Sequence, residues 1–281
     1  MPSRHRLFTV CLLAFVFFGA ALSVQGQQRA ARPNPLPRYS MGAYPFFPAP
    51  PHRFRGNRIF SIVFKTTPEV LRELVPQPLV PNSDNLLIVY IGSLNASSVD
   101  YSTRTVSYHE AGILVPVVFP RTNAPGTFAV SLYLDTPVGI AAGREIWGFP
   151  KKDAKLTFSV KDGQVSGTVE RLGTVLLRVN AKLENKVEPV PDQRELPFLV
   201  EKLIPSARRN APPDVWELVS VRTTDSKTNE YWPCTGSIQL GSGPEDPLGR
   251  IKVLGIVRAA LVNNDFSLDY GEIIHDYLSR Q

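Results

Sequence analysis

Thr127 to Val160 reads TFAVSLYLDTPVGIAAGREIWGFPKKDAKLTFSV. Its first run, TFAVSLYLD, and its last, AKLTFSV, are rich in β-branched and aromatic residues and bounded by Asp, Pro and Gly, as strands are. Between them a small-residue stretch, VGIAAG, leads into Gly143-Arg144-Glu145-Ile146-Trp147-Gly148-Phe149-Pro150-Lys151-Lys152. Two adjacent lysines ordinarily mark a solvated loop. Here Ile146, Trp147 and Phe149 bring apolar surface against them. Desolvation favours a neutral amine, and a second cation nearby pushes the same way.

Outward from this segment the chain stays strand-like. IFSIVFKT, LLIVYIGSL, ILVPVVF, QVSGTVE and TVLLRVNAKL, and later WELVSVRTT, TGSIQLG and IKVLGIVRAALV, are short runs broken by Gly, Pro, Asn and Asp. Helical signals are fewer. Thr67 as cap, Pro68 in the first turn and Glu69 beside it predict a helix to Val75. Ile273, Ile274, Tyr277 and Leu278 share one helical face and predict a short helix over Gly271–Arg280. Strands spaced about ten residues apart, with isolated helices between, argue for a β-rich α+β barrel or sandwich. No internal repeat and no later linker interrupts residues 53–281, which read as a single domain.

Of 281 residues 43% are hydrophobic, with 15 Phe, 9 Tyr and 3 Trp to fill a core, so the chain as a whole is not disordered. Two cysteines exclude a disulfide scaffold. The net charge of +6 is scattered rather than striped, which argues against nucleic acid as a partner. Arg4 and Arg6, the charge-free run LFTVCLLAFVFFGAAL, and Val24 and Gly26 at the −3 and −1 positions describe a signal peptide over residues 1–26. That run falls short of the roughly 20 residues of a spanning helix, so no stable membrane insertion is expected and the protein reads as secreted or periplasmic. Residues 27–52 form a Pro-rich lead-in. Asn95-Ala96-Ser97 is a glycosylation triplet that counts only in a eukaryotic host.

No HExxH, CxxC or His pair at ligand spacing occurs, so no metal is expected, and neither GxSxG, Walker A nor GxGxxG is present. YLDTPVGIAAGREIWGFPKK resembles the signature of the acetoacetate decarboxylases. PHRFRGNRIFSIVFKT resembles the N-terminal strand of that family, Tyr108-His109-Glu110-Ala111-Gly112 its carboxylate-bearing turn, and the stretch from TGSIQLGSGPEDPL to GEIIHDYL its C-terminal strands and helix. The resemblance spans about residues 43 to 280. It implies a double β-barrel with an interior pocket, homo-oligomeric assembly, no cofactor and a small keto-acid substrate. By position, Lys151 takes the place of the Schiff-base lysine and Lys152 that of the neighbour held to lower its pKa. Glu110 matches an active-site glutamate and Arg58 an active-site arginine. Where the family's decarboxylases carry a second glutamate, this chain has Tyr90, which reads either as a hydroxyl donor facing the pocket or, more simply, as core.

These groups suit the removal of CO2 from a β-keto acid. A lysine amine condenses with the ketone, and the protonated imine accepts the electron pair that CO2 leaves behind. An ordinary lysine ionises near 10.4, so holding one neutral near pH 6 needs roughly 6 kcal/mol. A second ammonium about 6 Å away, at an effective dielectric of about 20, supplies roughly half of that. Adjacent strand residues point to opposite faces, however, and Lys152 then aims away. Glu110 reads as a proton shuttle or as partner of Arg58 or Arg144, and Arg58 as a carboxylate clamp or a structural ion pair. Two other activities remain open: a Schiff-base aldolase or dehydratase acting on a pyruvate-like acid, which Tyr90 favours, and a barrel that only binds a small acid.

Overall fold

The computed structural model describes residues 47–98, 105–189 and 196–279, all within one unit, Leu36–Gln281. The signal peptide and most of the Pro-rich lead-in lie outside the described residues. In chain order the strands are β1 (His52–Lys65), β2 (Val80–Pro81), β3 (Leu86–Ser98), β4 (Val106–Phe119), β5 (Ala124–Leu134), β6 (Lys151–Asp153) and β7 (Lys155–Lys161). There follow β8 (Gln164–Arg171), β9 (Thr174–Leu183), β10 (Phe198–Ile204), β11 (Val215–Val221), β12 (Thr223–Leu240), β13 (Gly255–Leu268) and β14 (Glu272–Asp276). Two short α-helices, α1 (Pro68–Leu74) and α2 (Pro137–Ala142), complete the β-rich α+β fold.

Ladders join the strands in the order β14-β11-β10-β5-β4-β3-β1-β13-β12-β9-β8-β7, with β2 on β4 and β6 on β5. Nearly all pairs are antiparallel. β5 is the exception, pairing in parallel with both β6 and β10. β12 runs from a ladder with β13 into one with β9, which carries β7–β9 away from the first strands. That limb then folds back: Val165, Val169 and Val179 share one core cluster with Phe60, Val89 and Ile113 from the middle strands.

The middle strands are therefore covered on both sides. Phe60, Ile62 and Phe64 of β1, and Leu87, Val89 and Ile91 of β3, enter that cluster. Their alternates Ile59, Ser61, Ile88 and Tyr90 line a cavity on the other face. Sheets covered on both faces read as near-continuous apolar runs, which is why IFSIVFKT and LLIVYIGSL show so little polar alternation.

Helix α1 forms as the sequence predicts: Thr67 Oγ1 accepts from the Val70 amide at 3.4 Å, and Pro68 occupies the first turn. The helix expected over Gly271–Arg280 does not form. Glu272–Asp276 is instead β14, antiparallel to β11, with Val219 opposite Ile273. A ten-residue helix is marginal alone, whereas a strand satisfies the open edge of β11 and still lets Ile274 and Tyr277 reach the core. Asn95 lies within β3, and its side-chain amide donates to the Arg55 and Gly56 carbonyls at 3.2 and 3.1 Å. A glycan there would replace one of the two N–H donors and break at least one of these bonds.

Candidate active site

The lysine pair is delivered by an unusual turn. α2 runs directly into a π-helical turn, Gly143–Trp147, whose closing residue Gly148 has φ 90°. Such turns often occur at functional sites. The amides of Gly148 and Phe149 both donate to the Gly143 carbonyl at 3.0 Å. Arg144 Nη1 donates to the Lys151 carbonyl at 3.2 Å, so Arg144 braces the backbone. The chain then enters β6, where Lys151 stands opposite Leu132 and Lys152 opposite Tyr133.

That register separates the lysines. Lys151 shares the Leu132 side and enters the cavity. It is 9% exposed, and its Nζ lies 3.0 Å from Glu110 Oε2 and 5.6 Å from the Phe149 ring centre. Lys152 shares the Tyr133 side. Its Nζ donates to Asp246 Oδ1 at 2.6 Å, and Asp246 also accepts from Tyr133 at 2.8 Å and Arg171 at 2.9 Å. Burial pushes the Asp246 carboxyl up, but the hydrogen bonds from Lys152, Tyr133 and Arg171 and the Lys152 charge hold it below its usual value. The Lys152 charge is thus matched on the far face of the strand, as the alternation of neighbouring residues requires.

Glu110 reaches the cavity by the same alternation along β4, where Tyr108, Glu110 and Leu114 line it and Ala111 and Ile113 face the core. Its second oxygen, Oε1, accepts from the Tyr90 hydroxyl at 2.5 Å. Tyr90 is thus a hydroxyl donor in the pocket and not the core residue expected. Gly112 makes room for it: a Cβ there would come within 2.3 Å of the Tyr90 ring. Burial, reinforced by the Glu110 charge, pushes the Tyr90 hydroxyl well above its ordinary value, so it stays a donor. Burial does the same to Tyr108.

Arg58 does not join these groups. It is exposed on β1 and is not among the residues lining the cavity. A bulge at Gly56 (φ 62°) shifts the register between Phe54 and Asn57. Even-numbered Phe54 and odd-numbered Ile59 therefore line the same cavity, and Arg58 is turned to the opposite side. The carboxylate clamp expected of Arg58 has no counterpart in this geometry.

The cavity holds about 320 Å³. Lys151 and Glu110 are the only charged side chains among its described lining residues. Among all the described residues no cluster of three His, Cys, Asp or Glu side chains could hold a metal.

A family model described as acetoacetate decarboxylase matches residues 31–278. The chain belongs to the acetoacetate decarboxylase family. The acetoacetate decarboxylase of Burkholderia lata is 32% identical over 240 residues, spanning 84% of this chain and 93% of that protein. The crystal structure of acetoacetate decarboxylase from Legionella pneumophila has a TM-score of 0.76 at 26% identity, covering 88% of this chain and 94% of that one. The enduracididine biosynthesis enzyme MppR, complexed with pyruvate, shares the fold at a TM-score of 0.72 and 18% identity, over 84% of this chain and 95% of its own.

Two residues beside this site escaped the sequence reading. Asp246 sits in GPEDPL, where two adjacent acids give no sign of which one is buried. His52, placed at the end of the lead-in, opens β1 and is 8% exposed. Its Nε2 lies 2.9 Å from the Pro48 carbonyl, and its ring meets Trp147 edge-on at 5.2 Å. Burial lowers its pKa against the pull of the Pro48 carbonyl, and the Lys151 charge adds to the lowering.

The sign of the resulting pH effect follows. Unfolded His52 titrates near 6.5 and folded His52 below that, so between the two values the unfolded chain binds more protons. Stability should fall as pH drops from 6.5 through the folded value, with a limiting slope of about 1.4 kcal/mol per pH unit. Thermal melts from pH 7.5 to 5 should show this loss in the wild type and a flatter profile in His52→Gln. Equal slopes would remove His52 as the cause.

Proposed function

We propose that the protein removes CO2 from a β-keto acid through a Schiff base on Lys151. The observation that carries this reading is a buried amine 3.0 Å from a buried carboxylate in an otherwise uncharged, mostly apolar cavity. Passing one proton from Nζ to Glu110 Oε2 turns the ion pair into a neutral amine and a neutral acid without moving net charge into the cavity. The freed amine attacks the ketone carbon, and the resulting carbinolamine loses water, with Glu110 donating the proton. The C1–C2 bond then breaks, its electron pair passes through C2 toward the iminium nitrogen, and CO2 departs. Protonation of the enamine at C2 and addition of water release the ketone and Lys151. Tyr90 contributes by holding Oε1, which leaves Oε2 directed at Nζ.

The competing reading is an aldolase or dehydratase, in which the same enamine attacks an aldehyde. Tyr90, standing where the family's decarboxylases carry a second glutamate, favours it. Purified protein given acetoacetate, and separately pyruvate with an aldehyde, should release CO2 from the first and form no new C–C bond with the second. The reverse outcome would overturn the decarboxylase reading. Export directed by residues 1–26 and homo-oligomeric assembly belong to the same proposal. Among the described residues no helix is long and apolar enough to cross a membrane.

A further inference from the structure

The cavity is larger and more apolar than acetoacetate requires. Its volume of about 320 Å³ falls in the range, roughly 300–1,000 Å³, of pockets that enclose drug-sized ligands. Eleven of its nineteen described lining residues are Phe, Leu or Ile. Acetoacetate would set a single methyl group against that wall and leave the remainder facing water.

The apolar surface also has a direction. It starts at the amine, where Phe149 lies 5.6 Å from Lys151 Nζ. It continues to Phe198, whose ring meets Phe149 edge-on at 5.7 Å. Leu196, also in the lining and 42% exposed, carries it to the surface. A second aromatic wall is the stacked pair Phe54 and Phe266, with ring centres 4.6 Å apart. No second cation lines the cavity among the described residues, and its other polar groups are the neutral Ser61, Tyr90, Tyr108, Thr127, Thr223 and Asn264.

We infer that the substrate is a 3-oxo acid whose ketone carries an unbranched apolar chain of about five carbons, lying along Phe149, Phe198 and Leu196. This rests on the Schiff-base decarboxylase reading and narrows its substrate class. Attack by Lys151 at C3 places the carboxylate on one side of the iminium and the chain on the other. Loss of CO2 then leaves the enamine, which takes its proton at C2 and is hydrolysed to a methyl ketone. For 3-oxooctanoate the products are CO2 and 2-heptanone.

The test compares kcat/KM for 3-oxooctanoate and acetoacetate by CO2 release, with borohydride trapping of each on Lys151 read by peptide mass spectrometry. Each buried methylene is worth about fourfold, so the four extra ones set a ceiling of about 200-fold. We expect a preference for 3-oxooctanoate of at least about tenfold, and a smaller ratio in Leu196→Glu, where a charge meets the chain. Both acids turned over through Lys151 with acetoacetate equal or preferred would overturn the inference and leave the Schiff-base reading intact. An unchanged ratio in Leu196→Glu would overturn the placement of the chain. Neither CO2 nor an adduct from either acid would overturn both readings together.

Discussion

Lys151→Ala should give no borohydride adduct with a keto acid and should lose turnover by on the order of 10⁴-fold or more, the scale on which removing a covalent nucleophile acts. The substitution also strips Glu110 of its partner. Removing one member of a buried ion pair costs about 3–5 kcal/mol when the other charge is left uncompensated. Loss of activity could therefore reflect loss of fold, and the experiment needs a control. Lys151→Met with Glu110→Gln removes both charges at similar volume, and neutral replacement of such pairs is often harmless to stability. That double variant should melt near the wild-type temperature and remain without an adduct.

Lys152→Met offers the contrast. Its amine lies across β6 from the cavity, and Asp246 keeps Arg171 and Tyr133 when Lys152 is lost. The adduct should still form on Lys151. A loss as deep as that of Lys151→Ala would contradict the geometry.

Gly143→Ala should separate activity from stability more cleanly. Gly143 has φ −61° and ψ −43°, so its backbone accepts alanine without strain. Alanine is favoured over glycine in helical geometry by about 1 kcal/mol. The added Cβ, however, would lie 2.4 Å from Cδ and 2.5 Å from Cε of Lys151. The flexible lysine must swing away, taking its amine from Glu110. A misplacement of about 1 Å can cost on the order of 10²-fold. The expected result is a fall in kcat and in the borohydride labelling rate of that size, with a melting temperature within a few degrees of wild type. An unchanged kcat would mean that the amine finds its position without the gap at Gly143.

These expectations could be only half drawn from the sequence. The strand runs were legible because β-branched and aromatic residues crowd between Gly, Pro and Asn breaks. Thr67-Pro68-Glu69 announced α1 because capping is a local interaction. The C-terminal segment misled because Ile273, Ile274, Tyr277 and Leu278 fit a helical face equally well, and only the unpaired edge of β11 favours a strand. β10, FLVEKLI, went unread because its acid and lysine break the apolar run that the other strands display.

The sequence by itself determined the family and the β-rich class, and it singled out Lys151 as the candidate nucleophile. These rest on residue type and spacing, which local chemistry constrains. Only the tertiary structure decided which way each side chain faces. The register of β6 against β5 sends Lys151 into the cavity and Lys152 to Asp246. The bulge at Gly56 inverts the alternation of β1 and turns Arg58 outward. Tyr90 joins Glu110 because β3 and β4 present both residues to the same face. Strand alternation has a period of two, so a single bulge or a one-residue shift moves a side chain to the opposite face. Such shifts are set by partners distant in the chain, and no local pattern records them.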